Sequence, residues 1–480
     1  MKRLFRVTAL LSSSSLLEII LNILKTKLIA LLTGTMGIGL LGLYQSLINL
    51  LRSLASVFAG AGVIQTVAGL NPEEKARLYQ ALLRYVIRVS LLVSLALVVL
   101  SRPMASFFFT TPSHWREIIG FAVVTPVIFL GIFWRSWLNG LRRIHSLATI
   151  KIQATAAVAL VSILLVYTYG LNGVYLAALF CPVPMAVFAY RHVRPFLNQQ
   201  EKPLCPVPPS HMRAIIRRIL ATGHTLLLSS LLFTFSVVMV KGFINRHLGS
   251  HSLGLFQASW QLAMVYIELL LAALGMDFFP RLAAAIKKHQ PVNSLVNQQL
   301  SFSLMLATPV ILTMMLIAPW LLQWLYSREF QSAESTLHWL LLGDFFKVIS
   351  WILGYVLIAY HKLRWSLLLQ VIWVTTFMAG TVSLLEPVET AAPGVAFALA
   401  YIISAVLSMI LVTHQLNIRL DASARFAMGL SLACALVASI AIGLPEYRTY
   451  LLLFGCIFST TLSLTWFHKK WKSTSAGKSL

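Results

Sequence analysis

The sequence has little acid, little charge of any kind and almost no cysteine. Only 14 of its 480 residues are Asp or Glu, against 38 Lys and Arg, and charged residues make up 11% of the chain. A soluble domain carries roughly a quarter, so a water-solvated surface is excluded for most of this one. The four cysteines, Cys181, Cys205, Cys434 and Cys456, stand far apart. With no CxxC pair and no neighbouring His pattern, they argue against a zinc site or a disulfide framework. The chain also lacks a GxxxxGK[ST] loop, and with it the phosphate cradle of an ATPase. HExxH and GxSxG are missing too, and no loop is long enough for a separate catalytic domain. An enzyme is not expected, and no cofactor is called for.

What the sequence holds in quantity is apolar, at 58% of residues. Long continuous runs, without the alternating strands of a barrel, select membrane-spanning helices, because only helices and closed barrels satisfy their backbone in lipid. Windows of spanning length fall at 8–33, 38–65, 81–101, 117–138, 147–168, 171–191, 219–243, 254–280, 298–325, 337–360, 366–385, 394–416, 426–443 and 447–467. The predicted fold is therefore all-α, a polytopic membrane protein of about 14 transmembrane helices. The basic opening, Met1-Lys2-Arg3-Leu4-Phe5-Arg6, runs into apolar sequence to about Leu32 without a small-residue cleavage site. It reads as the first span rather than a signal peptide.

A net charge of +24 would suggest nucleic acid in a soluble protein. Here it tracks the loops instead, and no nucleic-acid partner is expected. With the N-terminus inside, alternate loops hold Lys75 and Arg77, Arg142 and Arg143, Arg191 to Arg218, Arg281 to Lys288, Lys362 and Arg364, Arg419 and Arg425, and Lys469 to Lys478. The opposite set holds only Arg102, Arg116, Arg246, Arg328 and Arg448. That is the positive-inside bias, and it places both termini in the cytoplasm.

Leu41-Gly42-Leu43-Tyr44-Gln45 opens the second window, and Leu253-Gly254-Leu255-Phe256-Gln257 opens the eighth. A weaker echo pairs the basic turn 141–147 with 361–367. Both echoes sit six spans apart, an even number, so the halves share one orientation about an axis along the membrane normal. Repeats of that kind are typical of secondary transporters. The expected organisation is a six-helix lobe over 1–191, a Pro-rich basic linker over 192–218 and a second six-helix lobe over 219–416, with the lobes related by a pseudo-two-fold axis. Two additional helices over 417–467 and a basic tail over 468–480 follow.

Ionisable residues near a span centre cost about 2.5–3.5 kcal/mol each and face the bundle interior. Ser15, Glu18, Asn22 and Lys25 share one face of the first span; Gln45, Asn49, Arg52 and Ser56 share one of the second. The eighth carries Gln257, Gln261 and Glu268 on one stripe, and the tenth carries Asp344 and Lys347 at i, i+3. Lys25, Lys27 and Lys241 lie within two or three turns of the outer ends, where snorkelling competes with a site role. Arg84, Arg88, Arg135 and Lys151 sit near cytoplasmic ends, where snorkelling accounts for them. A structural helix pair is the plain alternative for Asp344 and Lys347, as is a structural carboxylate partner for Arg52. Taken as a cavity, these residues suit an alternating-access carrier in which an anionic ligand competes for the cations.

Several stretches point further: Phe58-Ala59-Gly60-Ala61-Gly62-Val63, Gly254-Leu255-Phe256-Gln257, Phe279-Pro280-Arg281-Leu282, and Leu342-Gly343-Asp344-Phe345-Phe346-Lys347-Val348 followed by Gly354-Tyr355-Val356-Leu357-Ile358-Ala359. With the span count, they resemble the O-antigen translocases, polysaccharide flippases of the multidrug/oligosaccharidyl-lipid/polysaccharide superfamily, near the branch that serves the enterobacterial common antigen lipid intermediate. The resemblance implies an undecaprenyl-diphosphate-linked glycan as cargo, the lipid bilayer of a bacterial inner membrane as setting, and a glycan polymerase and chain-length regulator as companions. On that reading Arg52, Lys25, Lys347, Lys27, Lys241, Asn49, Gln257 and Gln261 meet the substrate, while Asp344, Glu18 and Glu268 gate or couple ions. The rivals are a multidrug or cation antiporter of the same superfamily and a membrane assembly protein that transports nothing.

Overall fold

The structure, a computed structural model, describes residues 2–69, 72–109, 114–198, 215, 217 and 224–476. The Pro-rich stretch 203–209 and the last four residues of the expected tail, 477–480, lie outside the described residues. All regular structure among the described residues is helical. In chain order the helices are α1 (Lys2–Ala59), α2 (Ala61–Ala68), α3 (Pro72–Val99), α4 (Ser101–Phe108), α5 (Trp115–Gly140), α6 (Ile144–Tyr169), α7 (Leu171–Phe180), α8 (Pro182–Asn198), α9 (His224–Lys287), α10 (Asn293–Leu325), α11 (Glu334–Ala359), α12 (Leu363–Val388), α13 (Ala392–Leu416), α14 (Ala422–Gly443) and α15 (Arg448–Ala476).

Eleven stretches are long and apolar enough to cross a membrane, and three of them run to 52, 60 and 54 residues. At 1.5 Å per residue, 52 residues of straight helix reach about 78 Å, well over twice the hydrocarbon core. These three cannot be single passes. α1 breaks at Gly34 (φ 61°) and α9 at Gly249 (φ 81°), both in the left-handed region that glycine enters without a Cβ clash. The third, Leu363–Leu416, breaks at the 3-10 turn Glu389–Ala391. Counted as two passes each, they bring the described residues to fourteen.

Where the helices differ from the apolar windows, local chemistry explains it. The window 38–65 is interrupted at Gly60, which closes α1 by donating its N–H to Ser56 O at 3.0 Å. The window 171–191 divides at Cys181, because Pro182 has no N–H to carry the ladder on. A short extra helix, α4, follows the third window and buries Ser101, Ala105 and Phe108.

The chain forms two compact units. The first is Met1–Gly254 with Leu325–Ser327, and the second is Leu255–Trp324 with Arg328–Leu480. Within the first, the segment after Gly34 crosses the segment around Gly249 at very short range. A Cβ on Gly254 would stand 2.0 Å from Thr35 O, and one on Gly39 would stand 2.4 Å from Ser250 O. Thr35 Oγ1 and His251 Nδ1 share a hydrogen bond of 2.7 Å beside the crossing.

Within the second unit, the terminal pair α14 and α15 is fastened at both ends. Asn297 donates to Arg419 O at 2.8 Å and accepts from Asp421 N at 3.2 Å, while Asn293 accepts from Arg419 N at 2.9 Å. Asp421 caps α14 through Ala424 N at 2.7 Å. At the start of α15, Arg448 meets Glu334 Oε1 at 2.6 Å.

Candidate functional site

In the first unit, the polar face of the opening span becomes a cluster. Lys25 is only 6% exposed, and its Nζ donates to Asn22 Oδ1 at 3.1 Å, one turn back on the same face. Arg52 donates to Asn49 Oδ1 at 3.3 Å and points a second nitrogen at Cys181 Sγ, 3.7 Å away. Glu18 Oε2 holds Lys151 Nζ at 2.6 Å, each about one-third exposed. Lys25 lies in the field of both Arg52 and Glu18, and Arg135 lies in the field of the same two. Lys151 of α6 thus pairs with Glu18, while Lys25 of α1 and Arg135 of α5 stand in the joint field of Glu18 and Arg52.

This arrangement departs from water-facing ion pairing. A surface salt bridge balances its charges; here Lys25, Arg135 and Lys151 all feel the carboxylate of Glu18, and Arg52 adds its positive field to Lys25 and Arg135. The guanidinium forks and ammonium groups fit the oxygens of phosphate or carboxylate, which take two or more charge-assisted hydrogen bonds at once. Such a group is suited to replacing the hydration of an anion inside a membrane protein.

The other basic candidates of this unit are placed differently. Lys27 is half-buried and projects about 200° around the helix from Lys25. Lys241 is 3% exposed and gives its ammonium to Ser46 Oγ at 2.6 Å and Gly42 O at 3.3 Å. It therefore binds α9 to the repeat segment of α1. Nearby, Glu117 accepts from Tyr44 and meets His114 Nδ1 at 2.7 Å.

In the second unit, Asp344 of α11 is fully buried. Its Oδ2 accepts from Tyr266 OH at 2.5 Å, and its Oδ1 lies 3.9 Å from Lys347 Nζ. Lys347 reaches Met264 Sδ at 3.4 Å and stands over the rings of Phe397 and Tyr401 at 5.8 and 5.7 Å. Glu268, exposed on the same helix as Tyr266, adds its charge to the field of both. At 3.9 Å the ion pair is loose, longer than a charge-assisted hydrogen bond of about 2.7–2.9 Å. Gln257 is buried with no hydrogen-bond partner for its Oε1, and Gln261 is half-buried one turn on. The described residues contain no group of His, Cys, Asp and Glu arranged to hold a metal ion.

Sequence reasoning set Glu18 and Lys25 on one face and Asn49 and Arg52 on another, but left Arg135 and Lys151 at interfacial ends. The missing signal was charge balance: Glu18 on an apolar helix needs a cation, and its own face offers Lys25 only two turns away. Tyr266 has no such signal, since a tyrosine in a membrane span is unremarkable until its hydroxyl meets a buried carboxyl.

Comparison with known proteins places these observations. Residues 39–335 match the model of a family described as polysaccharide biosynthesis protein. The lipid III flippase of Escherichia coli (strain K12) is 23% identical over 370 residues, which cover 76% of this chain and 88% of that protein. Among solved structures, the lipid II flippase MurJ in its inward closed conformation superposes with a TM-score of 0.72 at 15% identity, over 96% of this chain and 99% of that one. An inward-facing multidrug resistance MATE family transporter of the MOP superfamily gives 0.67 at 14% identity, over 83% and 96%. The fold is the one these transporters share.

Proposed function

The chain belongs to the polysaccharide biosynthesis protein family, and we propose that it is a flippase for a lipid-linked oligosaccharide. Its cargo is an undecaprenyl-diphosphate-linked glycan repeat unit, carried from the cytoplasmic to the periplasmic leaflet of a bacterial inner membrane by alternating access. The observation that carries this reading is the excess of cations around Glu18. A diphosphate cannot enter hydrocarbon with its hydration shell, and Arg52, Lys25, Arg135 and Lys151 supply replacement donors. The flippase similarity over three-quarters of the chain supports the same cargo class.

Within this proposal Arg52 and Lys25 hold the diphosphate, and Glu18 returns to Lys151 when the site empties. Asn49 orients Arg52, while Gln257 and Gln261 offer amides to sugar hydroxyls. Asp344, Lys347 and Glu268 form the element that responds to an ion gradient or membrane potential. The division into lobes of six and six spans with a terminal pair, both termini in the cytoplasm and companion polymerase and chain-length regulator belong to the same proposal. The MATE-like fold keeps a drug antiporter in view, but a cationic drug would meet the positive fields of Lys25, Arg52, Arg135 and Lys151.

The test is a deletion strain and its complementation. Deletion is expected to accumulate a lipid-linked glycan on the cytoplasmic side, and the wild-type chain to restore surface display. Arg52→Gln combined with Lys25→Gln is expected to fail at normal membrane abundance. Undiminished display by that variant would refute the site, and absence of any accumulated lipid-linked glycan would refute the cargo.

A further inference from the structure

A concavity lies in the second unit. It is a groove of about 730 Å³ where the last turns of α9, the first turns of α10 and the end of α15 converge. Its floor is apolar and aromatic. Leu274 and Leu295 contribute branched side chains, Phe302 is 40% exposed, and the rings of Phe302 and Phe467 meet edge to face at 5.5 Å. Trp466 spends its indole N–H on Ser423 Oγ at 3.2 Å, which fixes the ring against Phe467 at 5.1 Å.

The rim is of opposite character. Lys470 stands over the Trp466 ring at 5.8 Å, and Arg281 lies across from it on α9. Arg281 donates to Asp277 Oδ2 at 2.8 Å, but both partners are more than half exposed, so the pair is held open to exchange. Gln298 and Gln299 add amides. Lys287, Lys288 and Lys469 are exposed at the same end of these helices, and none of them is needed to neutralise Asp277.

An apolar floor with a cationic rim at one end fits an amphipathic ligand with an anionic head. We infer that this groove is a binding site for an anionic phospholipid, with its phosphate on Arg281 and Lys470 and an acyl chain along the floor from Leu274 to Phe467. A zwitterionic lipid would bring its own cation to an already cationic rim, so charge complementarity selects the anionic class. The site is built in part by α15, and its occupant would rest against the terminal helix pair. The inference is independent of what the protein carries.

The experiment is native mass spectrometry of the full chain in neutral detergent, with dioleoyl phosphatidylglycerol or dioleoyl phosphatidylcholine added at equal concentration. Wild type is expected to retain phosphatidylglycerol preferentially. Arg281→Gln and Lys470→Gln are each expected to weaken that binding about fivefold, the effect of one basic side chain on an anionic lipid, and to leave phosphatidylcholine binding unchanged. Asp277→Asn separates recognition from architecture: it breaks the same ion pair but frees the guanidinium, so phosphatidylglycerol should bind at least as tightly. Parallel losses in Asp277→Asn and Arg281→Gln would overturn the site, as would equal retention of the two lipids by wild type. Undecaprenyl diphosphate displacing phosphatidylglycerol at equal concentration, with the same dependence on Arg281, would assign the groove to an isoprenoid and overturn it also.

Discussion

The crossing of Gly39 and Gly254 allows a quantitative test of the first unit. Adding a methyl at Gly254 places carbon 2.0 Å from Thr35 O and 2.7 Å from Thr35 C. Ordinary contact begins at 3.4 Å, and because the obstacles are backbone atoms, rotamer changes cannot relieve the clash. The two segments must part by more than about 1 Å, which also stretches the 2.7 Å bond between Thr35 and His251. Overpacking of this kind costs about 1–3 kcal/mol. Gly39→Ala meets Ser250 O at 2.4 Å across the same seam and should cost a similar amount. Once one methyl has parted the segments, the second finds room, so the double variant should lose less than the sum of the singles, with a coupling of about 0.5–3 kcal/mol. Thermal denaturation in detergent, followed for both singles and the double, measures this. Gly354→Ala is the control, since its Cβ would meet nothing within 4 Å. Single variants as stable as the control, or strictly additive losses in the double, would refute the close approach.

Two further outcomes follow from the second unit. Asn297→Ala removes an acceptor from Asp421 N and a donor from Arg419 O; it should cost about 1–3 kcal/mol and expose 417–421 to limited proteolysis, which reads the loosened join to α14. Asp344→Asn or Lys347→Met alone leaves one buried charge without its counterpart and should cost about 3–5 kcal/mol, whereas the double variant removes both and should recover most of the loss; a melting series shows this, and surface glycan display of the double variant then reports whether the pair also serves transport.

How much of this was legible beforehand depends on which physical signal each feature uses. Spans are legible because the cost of exposing backbone in lipid acts on some twenty residues at once. The breaks at Gly34 and Gly249 are legible only as glycines near the end of a window, because one left-handed residue does the work that a loop does elsewhere. Gly60 and Cys181-Pro182 interrupt apolar runs without any polar residue, and hydropathy passes over both. Of the site, Glu18 with Lys25 and Asn49 with Arg52 follow from helical spacing along one chain segment. Lys151 on Glu18, Arg135 near Arg52, and Tyr266 on Asp344 join residues separated by dozens of positions or more, and one-dimensional periodicity carries no term for them. Lys241 shows the converse: its position suggests a place in the substrate path, but its bonds to Ser46 and Gly42 occupy it within the packing.

The two copies of the repeat segment make the division of labour concrete. In the first, Tyr44 passes its hydroxyl to Glu117, and Gly42 and Ser46 accept from Lys241, so the segment is tied into a polar web. In the second, the tyrosine position is Phe256, which has no hydroxyl and packs its buried ring 5.6 Å from Trp260. Gly254 there serves close packing against Thr35, and Gln257 keeps a buried carbonyl oxygen unspent. An identical apolar frame has thus been given polar bonds in one copy and aromatic packing in the other. The charges diverge in the same sense: Lys25, Arg135 and Lys151 in the field of Glu18 in the first unit, and a buried acid–base pair with its lysine over Phe397 and Tyr401 in the second. Each unit thus sets its copy of the frame in a different electrostatic environment.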